Sequence, residues 1–270
     1  MSLIDLLRAV RFLRQRKPDS EAAASIEWAG GQLIYDRHRK LGSFEKQKIA
    51  VNTEINKEID ARQIIFDVET PSGLFFEIGS GSGDLTYLLG IQGNFKFDER
   101  EQEKNRARFE QKFHYRGNDL EGDEERNIFG GDICSPLFLQ NSGCKPESAA
   151  VVYSNNVFEH LRRPWIAAEN AYRILKPGGV CITVVPFSQR YHESPGDYFR
   201  YTHAGLASLF ENVGPVEELL SGYDILGRRN NWQGGGNAND LVPMDAFGAW
   251  RETWFTFYAF RKPLGQTQVQ

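Results

Sequence analysis

Leu3, Leu6, Leu7, Val10 and Leu13 recur at helical spacing, with Arg8, Arg11 and Arg14 between them. This pattern predicts an amphipathic helix over residues 3–16, closed by Lys17-Pro18-Asp19-Ser20. Residues 21–60 are polar and charged, with helical stretches broken at Gly30-Gly31 and Gly42. From about residue 61 the pattern changes to short apolar runs alternating with helical ones. Strands are expected at 74–78, 94–97, 128–131, 149–154 and 179–185. A helix-like run, 84–89, follows the first strand. Another is expected from Pro164 to Leu175, with proline in its first turn and Trp165, Ala168, Tyr172 and Leu175 on its buried face. Lys176-Pro177-Gly178-Gly179 then predicts a tight turn into the fifth strand. Two further β-prone runs, 216–220 and 253–260, flank a glycine- and asparagine-rich loop at 228–237. Strands alternating with helices predict an α/β fold with a parallel, doubly wound sheet.

Composition agrees with a folded domain and narrows its class. Of 270 residues, 40% are apolar and 13% aromatic, enough for a packed core and incompatible with wholesale disorder. The 32 basic and 36 acidic residues leave a formal charge of −4, which gives no reason to expect bulk nucleic-acid binding. Cys134, Cys144 and Cys181 are odd in number and lack CxxC spacing, so buried, inert thiols are expected rather than disulfides or a zinc cage. No apolar run reaches the roughly 18–20 residues that span a bilayer, and arginines interrupt any secretory h-region at the N-terminus. A cytoplasmic protein is expected. The basic N-terminal helix suits packing on the main domain or on a second subunit, as in a homodimer. Weak contact with a membrane surface is the other reading of residues 3–16. The division expected is a helical extension or lid over 1–60, a main domain over 61–264 and a flexible tail over 265–270.

The most informative segment is Glu77-Ile78-Gly79-Ser80-Gly81-Ser82-Gly83-Asp84, between an apolar strand and a helix-like run. Its three glycines let the backbone turn sharply and approach a ligand, which in such sheets binds beyond the carboxyl ends of the strands. A nicotinamide site would favour GxGxxG, and Asp84 in the sixth position suits a pyrophosphate poorly. Residues 77–83 instead resemble the acidic-x-Gly-x-Gly-x-Gly motif of class I methyltransferases that use S-adenosylmethionine (SAM). Asn155-Asn156-Val157-Phe158-Glu159-His160-Leu161 resembles the segment after that family's fourth strand, and Arg173-Ile174-Leu175-Lys176-Pro177-Gly178-Gly179 its turn before the fifth.

The resemblance implies a seven-stranded, mostly parallel Rossmann-like sheet whose last strand is antiparallel, with SAM as cofactor. It implies cofactor contacts from Glu77, Gly79, Ser80, Gly81, Gly83 and Asn155. An acidic residue at the end of the second strand would accept both ribose hydroxyls, and Asp98 or Glu99 fits the usual offset of about 20 residues from Glu77. Asp132, after the third strand, would accept from the adenine amino group, with Ile133 packed on the ring.

Methyl transfer needs an aligned nucleophile, excluded water and, for a hydroxyl acceptor, a general base. Residues 186–201 are dense in His, Asp, Tyr and Arg, and His192 leads as the base, with Asp197 second. The other reading of both is that they hold this loop together. Some quinone-ring and RNA-end relatives bind metal through Glu-x-x-Glu-His. Here Asn156 replaces the first carboxylate, so no metal is expected. Residues 191–202 resemble methyltransferases of glycan synthesis, which implies a small-molecule or glycan acceptor. A protein or nucleic-acid acceptor, and a SAM-binding regulatory or assembly subunit without catalysis, stay open.

Overall fold

The computed structural model describes residues 55, 57–81, 83, 85, 88–89, 98–189, 191–192, 196–228 and 252–264. The predicted N-terminal helix, the tail, the strand expected at 94–97 and most of the loop at 228–237 lie outside them.

Seven strands form one sheet: β1 (Gly73–Ile78), β2 (Phe113–Asp119), β3 (Ile128–Gly130), β4 (Ala149–Asn155), β5 (Leu175–Ser188), β6 (Glu217–Arg228) and β7 (Glu252–Arg261). Their spatial order is β3-β2-β1-β4-β5-β7-β6. β1 to β5 pair in parallel, and β7 runs antiparallel to both β5 and β6. This is the expected α/β architecture with an antiparallel last strand. The order reverses at β1 and β4, where a crevice opens beyond the strand ends.

Among the described residues five helices accompany the sheet: α1 (Lys57–Phe66), α2 (Glu99–Lys112), α3 (Phe138–Asn141), α4 (Pro164–Ile174) and α5 (His203–Glu211). Successive strand residues face opposite layers, and both layers are apolar. Phe75, Val151, Ile182 and Phe257 join Ile65 and Phe109 on one face. Phe76, Val152, Cys181 and Tyr258 join Phe138, Ala168 and Phe210 on the other. Burial on both faces explains why the central strands read as continuous apolar runs rather than alternating ones.

Two local expectations change. In α4 the buried stripe is Pro164, Ala167, Ala168, Ala171 and Ile174, and Trp165 is 55% exposed. Trp165 stands one residue past the start of that stripe, about 100° around the helix from it. The turn expected at 176–179 is a bulge within β5: Ala149 pairs with Leu175 and Val151 with Val180, and Gly178 takes φ +76°. α5 begins as expected, with Thr202 accepting from the Gly205 N–H at 3.0 Å. All three cysteines are free and buried, and burial pushes the Cys181 thiol up to about 12.

Candidate functional site

The site is built where β1 ends. Gly79 and Ser80 N–H groups both donate to the Asn118 carbonyl, at 2.8 and 3.0 Å. The Asn118 side chain donates in turn to the Phe129 and Gly131 carbonyls, at 3.1 and 2.9 Å. One buried asparagine thus ties the glycine loop to β2 and β3. Gly79, Gly81 and Gly83 all have positive φ, at 68°, 53° and 69°. Their surroundings differ. A Cβ on Gly79 would lie 2.2 Å from Val157 Cγ2, so that position is closed by packing. A Cβ on Gly81 would meet nothing within 4 Å. The space before Gly81 is open.

The acidic residue at the end of β2 is Asp119. Its Oδ2 accepts from the Gly81 N–H at 2.9 Å and its Oδ1 from the Leu120 N–H at 2.7 Å. This corrects the placement of Asp98 and Glu99. The strand beside β1 is Phe113–Asp119, and Asp98 caps α2 by accepting from the Glu101 N–H at 2.8 Å. Glu99 is the first residue of that helix. A 14-residue helix precedes β2, so the offset counted from Glu77 fell short of it. Phe113 and Tyr115, alternating ahead of Gly117-Asn118-Asp119, are the signal that could have located it.

The other expected cofactor residues fall into two groups. Gly79 and Asp132 line a cavity of about 350 Å³ together with Asp119, Leu120, Cys134, Asn156, Val157, His160, Leu161, Arg162, Arg163 and Tyr198. Asp132 Oδ1 accepts from the Cys134 N–H at 2.8 Å, which folds the chain back after β3. Glu77 accepts from the Tyr115 hydroxyl at 2.7 Å, so it braces β1 against β2. Ser80 Oγ and Asn155 Oδ1 are buried and have no hydrogen-bond partner among the described residues. Ile133 belongs to the core, 4% exposed and clustered with Phe138 and Ala167, and is not among the cavity's lining residues.

The loop after β5 closes against the segment after β4. Tyr198 and Phe199 N–H groups donate to the Glu159 carbonyl at 2.8 and 3.2 Å, and the Tyr201 hydroxyl to the Phe158 carbonyl at 3.0 Å. Arg200 grips both Asp197 oxygens, with Nη2–Oδ2 at 2.7 Å, and the His192 N–H adds a bond to Oδ2 at 2.8 Å. Burial alone would raise the Asp197 pKa, but these donors outweigh it and hold the carboxyl below its ordinary value. A carboxylate so paired anchors a loop and is poorly suited to take a proton. His192 packs edge-on against His160, ring centroids 5.0 Å apart, which brings it beside a cavity-lining residue. Glu159 is fully buried, and burial pushes its pKa up to about 7 despite Arg200 and Lys57. Arg162 lies over the Tyr198 ring at 5.1 Å on the cavity wall.

Residues 76–183 match a family described as a methyltransferase domain. That stretch contains every lining residue of the cavity except Tyr198. No curated protein matches the chain. Among solved structures, the YcgJ protein of Bacillus subtilis is similar at 11% identity, over 77% of this chain and 100% of that one, with a TM-score of 0.47. The [4+2]-cyclase SpnF is similar at 12% identity, over 77% and 82%, with a TM-score of 0.46. Phosphoethanolamine N-methyltransferase 2 of Haemonchus contortus, solved with SAM, is similar at 14% identity, over 77% and 52%, with a TM-score of 0.43. Likenesses at this level say nothing of substrate. Among the described residues no helix is long and apolar enough to cross a membrane.

Proposed function

We propose that this chain is a methyltransferase that uses SAM and transfers its methyl group to a small-molecule or glycan acceptor at the cavity mouth. The observation that carries the cofactor assignment is the pairing of open space before Gly81 with the strand-end carboxylate of Asp119. The donor set fits SAM. Asp119 spends one acceptor site per oxygen on backbone N–H groups, and each oxygen has a second lone pair for a ribose hydroxyl. Asp132 on the same wall suits an exocyclic amine, and the cavity volume suits a nucleoside-sized ligand. Gly79, Gly81 and Asn118 hold the loop so that its backbone, rather than side chains, meets the amino-acid end. SAM, when bound, supplies a methyl group already made electrophilic by its sulfonium. The chain's own work is to bind, orient and exclude water.

The acceptor reading rests on the same wall. Tyr198 offers a ring face and Arg162 and Arg163 offer cationic donors, a combination suited to a sugar or other hydroxylated acceptor carrying an anionic group. The test is mass spectrometry of acceptor pools incubated with methyl-labelled SAM, beside calorimetry with SAM and its demethylated product. Label on a glycan or small-molecule fraction is the expected result. Absence of binding to either sulfur compound would overturn the cofactor assignment. Binding with no label transferred across the pools would favour a regulatory subunit.

A further inference from the structure

Glu159, His160 and His192 each present a ligating atom, and these atoms lie within 4.8 Å of one another. From these three side chains we infer that the domain holds one divalent transition-metal ion, of the zinc, cobalt or iron type, at the wall of its cavity. Three observations carry this. The Glu159 side chain is fully buried, and neither of its oxygens has a hydrogen-bond partner among the described residues. A buried carboxylate left so is costly unless a cation or proton sits against it. Its Oε1 lies 3.6 Å from His160 Nε2, too far for a hydrogen bond and close enough for both atoms to share an ion.

The outer contacts are those of ligating histidines. His160 Nδ1 meets the Gly196 carbonyl, which fixes Nδ1 as the donor and turns an Nε2 lone pair toward Glu159. His192 Nδ1 lies 3.4 Å from Asp197 Oδ2, itself clamped by Arg200. That clamp fixes where the His192 ring stands beside Glu159 and His160. A buried carboxylate and two imidazoles thus converge on one point, where a cation would offset the charge of Glu159.

The donor set selects the ion. Two imidazoles and one carboxylate suit zinc, cobalt or iron(II) better than magnesium, which prefers an all-oxygen shell. Sequence spacing missed the site because the expected partner of Glu159 and His160 was Asn156. The third ligand comes instead from the loop after β5, 32 residues beyond His160. A tetrahedral ion with three protein ligands keeps a fourth position. His160 lines the cavity, so that position receives water or an acceptor oxygen.

The test is titration of the chelator-stripped full chain with Co²⁺, followed by visible absorption, with Zn²⁺ as competitor. The expected result is saturable binding of a single ion and displacement by Zn²⁺. His192→Ala and Glu159→Gln should each weaken it at least about tenfold. Should Glu159→Gln fail to fold, His192→Ala decides alone, since that side chain is 31% exposed. No saturable binding, or equal binding in the wild type and His192→Ala, would overturn the site. SAM affinity, measured separately on the stripped protein, tests the cofactor assignment and does not depend on the ion.

Discussion

Asp119→Asn is the sharpest test of the proposed cofactor geometry, because sequence spacing pointed to Asp98 or Glu99 and the strand-end carboxylate beside the glycine loop is Asp119. Asparagine keeps the shape of the side chain but loses its charge and half of its acceptor capacity. Its amide nitrogen cannot accept from the Gly81 N–H, now bonded at 2.9 Å, or from a ribose hydroxyl. A hydrogen bond to a charged group is worth about 1.5–3 kcal/mol. Losing one from the cofactor therefore weakens SAM binding by about 10- to 100-fold. Asp98→Ala is the control. Asp98 caps α2 through the Glu101 N–H, so its loss should cost about 1 kcal/mol of stability. SAM affinity should be untouched. Calorimetry reads the first quantity and urea unfolding the second. Equal affinity in Asp119→Asn and the wild type, or a larger loss in Asp98→Ala, would refute the assignment.

Two glycines should separate packing from access. Gly79→Ala puts a Cβ 2.2 Å from Val157 Cγ2 at positive φ, and should cost at least about 2 kcal/mol by urea unfolding; an unchanged midpoint would contradict it. The Cβ of Gly81→Val would meet nothing within 4 Å, so its stability loss should be about the 1–2 kcal/mol of the left-handed backbone, while SAM binding is lost; retained binding would show that the cofactor does not pass there. Asp224 is raised to about 6 by burial, against the opposing Lys57 N–H and ammonium, so the folded state holds a proton that the unfolded state releases. Stability should then fall by about 3 kcal/mol as pH rises from roughly 4 through 6, and Asp224→Asn should flatten that part of the unfolding profile. A profile unchanged by the substitution would count against a protonated Asp224.

The fold was legible because its signals are local. β4 and β7 are apolar runs buried on both faces, and a strand of that kind has few other places to go. The glycine loop announced itself through three residues that only a left-handed backbone requires. β2 was hidden for a physical reason. Its sequence FHYRGND spends polar side chains on structure: Tyr115 on Glu77, Arg116 on the Ser142 carbonyl and Asn118 on the β3 carbonyls. A strand whose polar groups find partners within the sheet lacks the apolar run by which strands are recognised. Asp119 was missed with it.

The acceptor side was hidden differently. Its residues lie on two segments that meet only after folding, where the loop after β5 donates its backbone to the Glu159 carbonyl. Sequence singled out His192 and Asp197 because titratable groups crowd residues 186–201, and it weighed each as a proton acceptor or as a brace that holds the loop together. The geometry sets them in series: Arg200 fixes Asp197, Asp197 faces His192, and His192 packs on His160 at the cavity wall. A chain of that kind determines where an imidazole points and which of its nitrogens carries the proton. That control matters more to a group that must hold an ion or a substrate atom in place than to one that must exchange protons with solvent. The loop is therefore better understood as a scaffold that aims side chains into the cavity than as a source of a base.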